Sequence, residues 1–178
     1  MIFFGHLGLT TGAVKLCENS ILNREKKESN IDYRFLLVGS VLPDVIDKPI
    51  GAWLFRNVFH NSRLFGHTLL FSIVLLSIGL YRQLKYKKNG VLMLGVGSAF
   101  HLILDSMWLY PKILFWPFTG CIFPTRPEGQ WLKQGIIRLG SDPTYYCGEI
   151  VGFIIIACYF IKLIKKHGMK DFINNGRL

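Results

Sequence analysis

The sequence predicts an all-α fold, a polytopic membrane helical bundle with about four to five membrane segments, and three observations predict it. Apolar residues make up 51% of the 178 residues and charged ones 18%, so there is enough apolar surface to face lipid. Those apolar residues are bunched into runs instead of being spread at the amphipathic spacing of a soluble helix. Most of the basic residues sit in short clusters beside the runs, the pattern left by membrane insertion. The length calls for one domain, residues 1–178.

Three runs are clear. Residues 64–81 carry one ionisable side chain within the apolar stretch, His67; residues 91–110 carry two, His101 and Asp105; residues 150–161 carry none. With its flanks, each approaches the ~20 residues needed to cross a hydrocarbon core of roughly 30 Å. Upstream, residues 3–22 and 35–54 are moderately apolar and are separated by a charged turn over 23–28. Segment 3–22 contains Lys15, Glu18 and a Thr10-Thr11-Gly12 step, which is expected to lie in the interface or to be shielded by neighbours. Segment 35–54 is interrupted by Leu42-Pro43-Asp44, where proline removes a backbone donor and a break or kink is expected. The start, Met1-Ile2-Phe3-Phe4-Gly5-His6, has no basic region and no cleavage site after a clean apolar stretch, so insertion by the helices themselves is expected.

The basic residues orient the segments. Arg82, Lys85, Lys87 and Lys88 fill the short loop between the first two clear runs, and Lys162, Lys165, Lys166, Lys170 and Arg177 follow the last. Both stretches belong in the cytoplasm, as does the turn at 23–28, which places residues 111–146 outside, the N-terminus outside and the C-terminus inside. The formal charge of +10 is thereby absorbed by the membrane, and no nucleic-acid partner is implied. Cys17, Cys121, Cys147 and Cys158 show no metal-finger spacing and read as small apolar fillers, although Cys121 and Cys147 share the outer side.

With this topology the ionisable residues fall at one depth. His6 opens the first segment, Asp44 and Asp47 lie in the outward half of the second, and His67 follows the start of the third. His101 and Asp105 occupy the outward half of the fourth, and Glu149 opens the fifth. Ionisable groups within a membrane are costly unless paired or hydrated, which makes them functional candidates by default. The spacing of His101 and Asp105 puts imidazole and carboxylate one helical turn apart on one face. Such donors suit Zn²⁺ or a similar divalent metal, one or two ions. Each residue also has a plainer reading. The pair His101 and Asp105 could be a structural hydrogen bond, Asp44 a cap or turn residue, Gly66-His67-Thr68 a helix start, and Glu149 a carboxylate favoured by its own helix dipole. His60 reads as a solvated or gating loop residue and His167 as cytoplasmic.

In order, Gly5-His6, the run Gly39-Ser40-Val41-Leu42-Pro43-Asp44-Val45-Ile46-Asp47, Arg63-Leu64-Phe65-Gly66-His67-Thr68, Gly97-Ser98-Ala99-Phe100-His101-Leu102-Ile103-Leu104-Asp105 and Phe115-Trp116-Pro117-Phe118 resemble a known family. It is the membrane-bound metal-dependent hydrolases described as LexA-binding inner-membrane proteins, and the likeness covers residues 1 to about 120. That family is distantly similar to zinc-dependent phospholipase C. The resemblance implies a bacterial inner-membrane hydrolase domain in which His6, His67, His101 and Asp105 are metal ligands, Asp105 bridges, and Asp44 binds metal or acts as base. The phospholipase pattern continues with histidines that this chain lacks after Asp105 until His167, while Tyr145-Tyr146-Cys147-Gly148-Glu149 keeps only a glutamate.

The function expected is hydrolysis of a phosphoester in a lipid or lipid-linked substrate by a metal-activated water, with Asp44 or Asp47 as catalytic carboxylate. The metal set is His6, Asp44, His67, His101, Asp105 and Glu149, opening near the outer leaflet. Phe115, Trp116, Phe118, Phe123 and Trp131 suit an interfacial cover, and Lys112, Arg126, Lys133 and Arg138 could meet anionic head groups. One alternative is a non-catalytic regulatory protein with a structural metal and a cytoplasmic protein partner. An ion transporter is a third reading, disfavoured because the inner halves of the long runs are apolar.

Overall fold

A computed structural model describes residues 3–25, 31–125, 137, 140 and 143–178, and among them every regular element is helical. The long helices are α1 (Phe4–Glu25), α2 (Tyr33–Lys48), α4 (Leu69–Tyr86), α5 (Gly90–Leu104) and α7 (Pro143–Lys165). Short ones are α3 (Arg56–Phe59), α6 (Pro111–Leu114) and α8 (Met169–Asn175). Residues Lys26, Lys27, Glu28, Arg126, Trp131, Lys133 and Arg138, used above for topology and for the cover, lie outside the described residues.

The helices pair as α1 with α7, α2 with α5, and α5 with α4, and α1 also lies against α2. Glycines set how close they come. A Cβ on Gly97 of α5 would run into the backbone of Leu36 and Ser40 on α2, and one on Gly8 of α1 would strike Gly152 of α7. In lipid there is no hydrophobic drive between helices, so backbone approach at small residues supplies the van der Waals contact that holds them together. The helix ends are chemically marked as well. Thr68 caps α4 by accepting from the Phe71 N–H at 3.1 Å, and the Asp32 carboxylate accepts from Arg34 N–H at 3.1 Å to cap α2.

Two helices are long and apolar enough to cross a membrane, Leu69–Tyr86 and Tyr145–Lys165, and only 11% and 6% of those spans is buried inside the bundle. Ile73, Val74 and Ile78 on α4 and Phe153, Ile154 and Ile161 on α7 are all exposed, the outward apolar faces that lipid would cover. Helix α5 is more apolar than either but has only 15 residues. Two candidate spans thus stand where four to five segments are expected.

Three local expectations change. Helix α2 runs through Pro43 to Lys48 without interruption, and the departure from α geometry comes at Pro49–Leu54, wound as a π-helix. The 64–81 run becomes helical only from Leu69, because residues 61–68 form a loop. All four cysteines are free and exposed, Cys121 and Cys147 included.

Lys15 and Glu18 are shielded, as expected of a polar pair in segment 3–22. Their ion pair is 2.6 Å long, and the buried Tyr33 hydroxyl donates to the same Glu18 carboxylate at 2.8 Å. This knot lies toward the end of the bundle opposite His6, so buried ionisable groups occur in both halves. It is neutralised from within, and the buried Val14 and Leu36 pack with Tyr33 in a small core. A second core of Leu64, Leu102, Met107, Ile113 and Phe123 lies beneath the loops at the His6 end.

Candidate metal centre

Five of the sequence-selected residues meet at that end. His6 comes from the first turn of α1, Asp44 from the last turn of α2, His67 from the loop before α4, His101 from the last turn of α5, and Asp105 from the residue that closes α5. His6, His67 and His101 are fully buried and Asp105 nearly so. Their donor atoms form two overlapping groups, His6 with Asp44 and His101, and His67 with His101 and Asp105, each within 4.8 Å.

Asp47 builds the loop that delivers His67. It is fully buried, and it accepts backbone hydrogen bonds from Leu64 at 2.6 Å, Gly66 at 2.9 Å and His67 at 3.1 Å. Gly66 is needed there, since a Cβ would press on Pro43 of α2. The same carboxylate lies 2.7 Å from His67 Nδ1, so that nitrogen carries the proton and donates it. His101 Nδ1 lies 2.7 Å from the Ser40 carbonyl oxygen, which can only accept, and the same tautomer follows.

Both rings therefore turn an Nε2 lone pair inward, and these two nitrogens face each other at 3.3 Å. Two lone pairs at that separation need a cation between them, a proton or a metal ion. Two imidazole nitrogens on one tetrahedral zinc-like ion, at ~2.0–2.1 Å each, stand roughly 3.3–3.4 Å apart. The remaining donors converge on the same place. His67 Nε2 is 3.6 Å from Asp44 Oδ1 and 3.9 Å from Asp105 Oδ2. His6 stacks on His101 with ring centroids 4.1 Å apart, and its Nε2 is 3.3 Å from Asp105 Oδ1. Neither His6 ring nitrogen makes a hydrogen bond among the described residues, although both are buried. Nitrogen and carboxylate donors, one imidazole with unsatisfied nitrogens and two oriented by partners behind them, fit a divalent metal.

Glu149 stands apart from this cluster. Its carboxylate accepts the Phe3 N–H at 3.2 Å and the Phe4 N–H at 2.9 Å, serving the N-terminus of α1, where a negative charge is favoured by the helix dipole. His60 is half-buried in the loop after α3, and His167 is exposed beyond α7.

Residues not selected from the sequence complete the site. Lys48 pairs with Asp44 at 2.6 Å, and Arg63 pairs with Asp105. Asn61 Oδ1 accepts the Arg63 N–H at 3.0 Å, and its Nδ2 donates to the Pro124 carbonyl at 2.8 Å. Arg63 had a readable signal, a lone cation four residues before His67 at the edge of an apolar run.

With helices throughout its described residues, exposed apolar faces on two of them and a polar cluster at one end, the chain matches one family model over residues 1–169, that of the YdjM inner membrane protein. The chain belongs to the YdjM inner membrane protein family. Searches of curated proteins and of solved structures returned no match. Family membership carries the membrane part of the resemblance read in the sequence. It says nothing of hydrolase chemistry or of phospholipase C.

Proposed function

We propose that this chain is a membrane-embedded, metal-dependent hydrolase acting on a phosphoester of a lipid or lipid-linked substrate. The observation that carries the reading is the inward pair of Nε2 lone pairs on His67 and His101, 3.3 Å apart, with His6, Asp44 and Asp105 around them. His6, His67, His101 and Asp105 would hold one or two ions, with Asp44 beside them. A bound zinc-type ion supplies Lewis acidity and brings a coordinated water's pKa to about 7.

The protein's own groups divide the remaining work. Asp47 is saturated with four hydrogen bonds and fully buried, which suits it to orienting His67 and not to taking a proton. Asp44 is the more open carboxylate, its side chain 14% exposed. It is therefore the base: water oxygen forms a bond to phosphorus as Asp44 takes one of the water's protons, the P–O ester bond breaks, and Asp44 returns that proton to the departing oxygen, which leaves as the alcohol. Basic residues at the opposite ends of α4 and α7 favour a cytoplasmic position for those ends, so the cluster opens toward the outer leaflet. Exposed Trp53, Trp108 and Phe118 are apolar side chains suited to holding the site's end in the interface.

The test is hydrolysis of a panel of lipid and soluble phosphoesters by zinc-loaded protein in detergent. Turnover by wild type that drops at least a hundredfold in Asp44→Asn, with metal retained, supports the proposal. Retained metal with no turnover of any phosphoester would leave a structural metal in a non-catalytic protein.

A further inference from the structure

Resting on the hydrolase reading, we infer that Arg63 forms a subsite for phosphoryl oxygens at the His/Asp cluster, with Lys48 on Asp44 adding to its positive field, so that the site selects anionic phosphoesters over carboxylic esters. Arg63 is delivered by the same loop as His67. Its backbone is pinned by Asn61, its guanidinium pairs with Asp105 Oδ2, and the charged group lies 5.2 Å over the Tyr110 ring. The side chain is only 15% exposed. A guanidinium brought this far into an apolar end carries a large desolvation cost, offset where its fork of donors is used.

Asp105 takes only part of that fork. Among the described residues the guanidinium makes one hydrogen bond, from NH2 to Asp105 Oδ2. The planar donor array of arginine matches two oxygens of one phosphoryl group, whereas neutralising a carboxylate would need no more than a lysine ammonium. The charge balance agrees. Among the described side chains, Lys48 pairs with Asp44 and Arg63 with Asp105, and the third carboxylate, Asp47, bonds His67. A divalent ion on those carboxylates turns the balance positive, which attracts an anionic phosphoryl group and does nothing for an uncharged ester.

The experiment uses full-length, zinc-loaded protein in detergent micelles and titrates inorganic phosphate by calorimetry, with zinc content measured on the same samples. Wild type is expected to bind phosphate. Arg63→Gln should keep its zinc and lose at least tenfold in phosphate affinity, with Arg63→Lys in between. The inference is overturned if Arg63→Gln binds phosphate as wild type does, or if it sheds its zinc, since the arginine then serves only Asp105. Zinc-loaded wild type that ignores phosphate overturns it too while leaving hydrolysis of uncharged esters open, whereas wild type that holds no zinc removes the hydrolase reading itself. Titration with short-chain phosphatidic acid separates the sources of the group. Tighter binding than inorganic phosphate assigns the subsite to lipid-borne phosphoryl groups, and equal binding assigns it to the phosphoryl group alone.

Discussion

Nε2 of His67 and Nε2 of His101 face each other at 3.3 Å, each ring having committed its Nδ1 to an acceptor behind it, Asp47 for one and the Ser40 carbonyl for the other. The two acceptors lie on one helix, α2, so this single element sets the tautomer of imidazoles arriving from two other places in the chain. Near-stoichiometric zinc or another divalent metal is expected in gently purified wild-type protein, measured by elemental mass spectrometry. His101→Ala and Asp105→Ala should each lose it. Unchanged metal in both variants would put the ion elsewhere.

Asp47→Asn should weaken metal binding without removing a ligand. An asparagine amide cannot accept at both ends, so it must present an N–H to a donor it now meets, either His67 Nδ1 or a backbone N–H of the 64–67 loop. Loss of such a partner behind a ligand lowers metal affinity by about 10- to 100-fold, readable by competition with a chromogenic chelator. Asp32→Ala is the control. It removes the cap of α2 at the end away from Asp47, costs about 1 kcal/mol, and should leave metal affinity unchanged.

The five clustered residues were legible in the sequence because a histidine or aspartate stands out against an apolar background that charges it a high energetic cost. What was not legible depended on distant partners. The loop at 61–68 reads as part of an apolar helix, and Asp47, some twenty residues earlier, holds its backbone out of the helix by taking the Leu64, Gly66 and His67 N–H groups. Pro43 reads as a break. The one acceptor it leaves without its helical donor is the carbonyl of Gly39, and α2 continues through that point packed against α5 on one side and the Gly66 loop on the other. Glu149 reads as a carboxylate for its own helix or for the metal, but α7 begins six residues earlier, at Pro143, and the acid serves α1. Lys15 and Glu18 read as a difficulty for a membrane segment, and Tyr33 resolves it from another helix.

Gly97→Ala should destabilise the whole bundle, because its new Cβ meets backbone atoms of α2, which cannot yield as a side chain tip would. Overpacking of this kind costs about 1–3 kcal/mol. Denaturant titration in detergent, followed by circular dichroism, should show a lower midpoint than wild type. Gly140→Ala, where an added Cβ meets nothing within 4 Å, should leave the midpoint in place.

Orientation in the membrane can be read from the protein's own thiol. Cys121 is free and exposed at the end of the bundle that carries the His/Asp cluster, close in sequence to Phe123, which packs on Leu102 and Met107. Lys166 follows α7 at the opposite end, beside Lys162 and Lys165. With Cys17, Cys147 and Cys158 replaced by serine, a membrane-impermeant maleimide applied to spheroplasts should label Cys121. In a companion variant with Cys121 also replaced, Lys166→Cys should label only after permeabilisation. The reverse pattern would place the cluster on the cytoplasmic side, and the substrate would then have to be sought among inner-leaflet lipids. The charge distribution argues for the first outcome, since the short α4–α5 connection concentrates Lys87 and Lys88 next to Lys85 and Arg82 where translocation would be most costly.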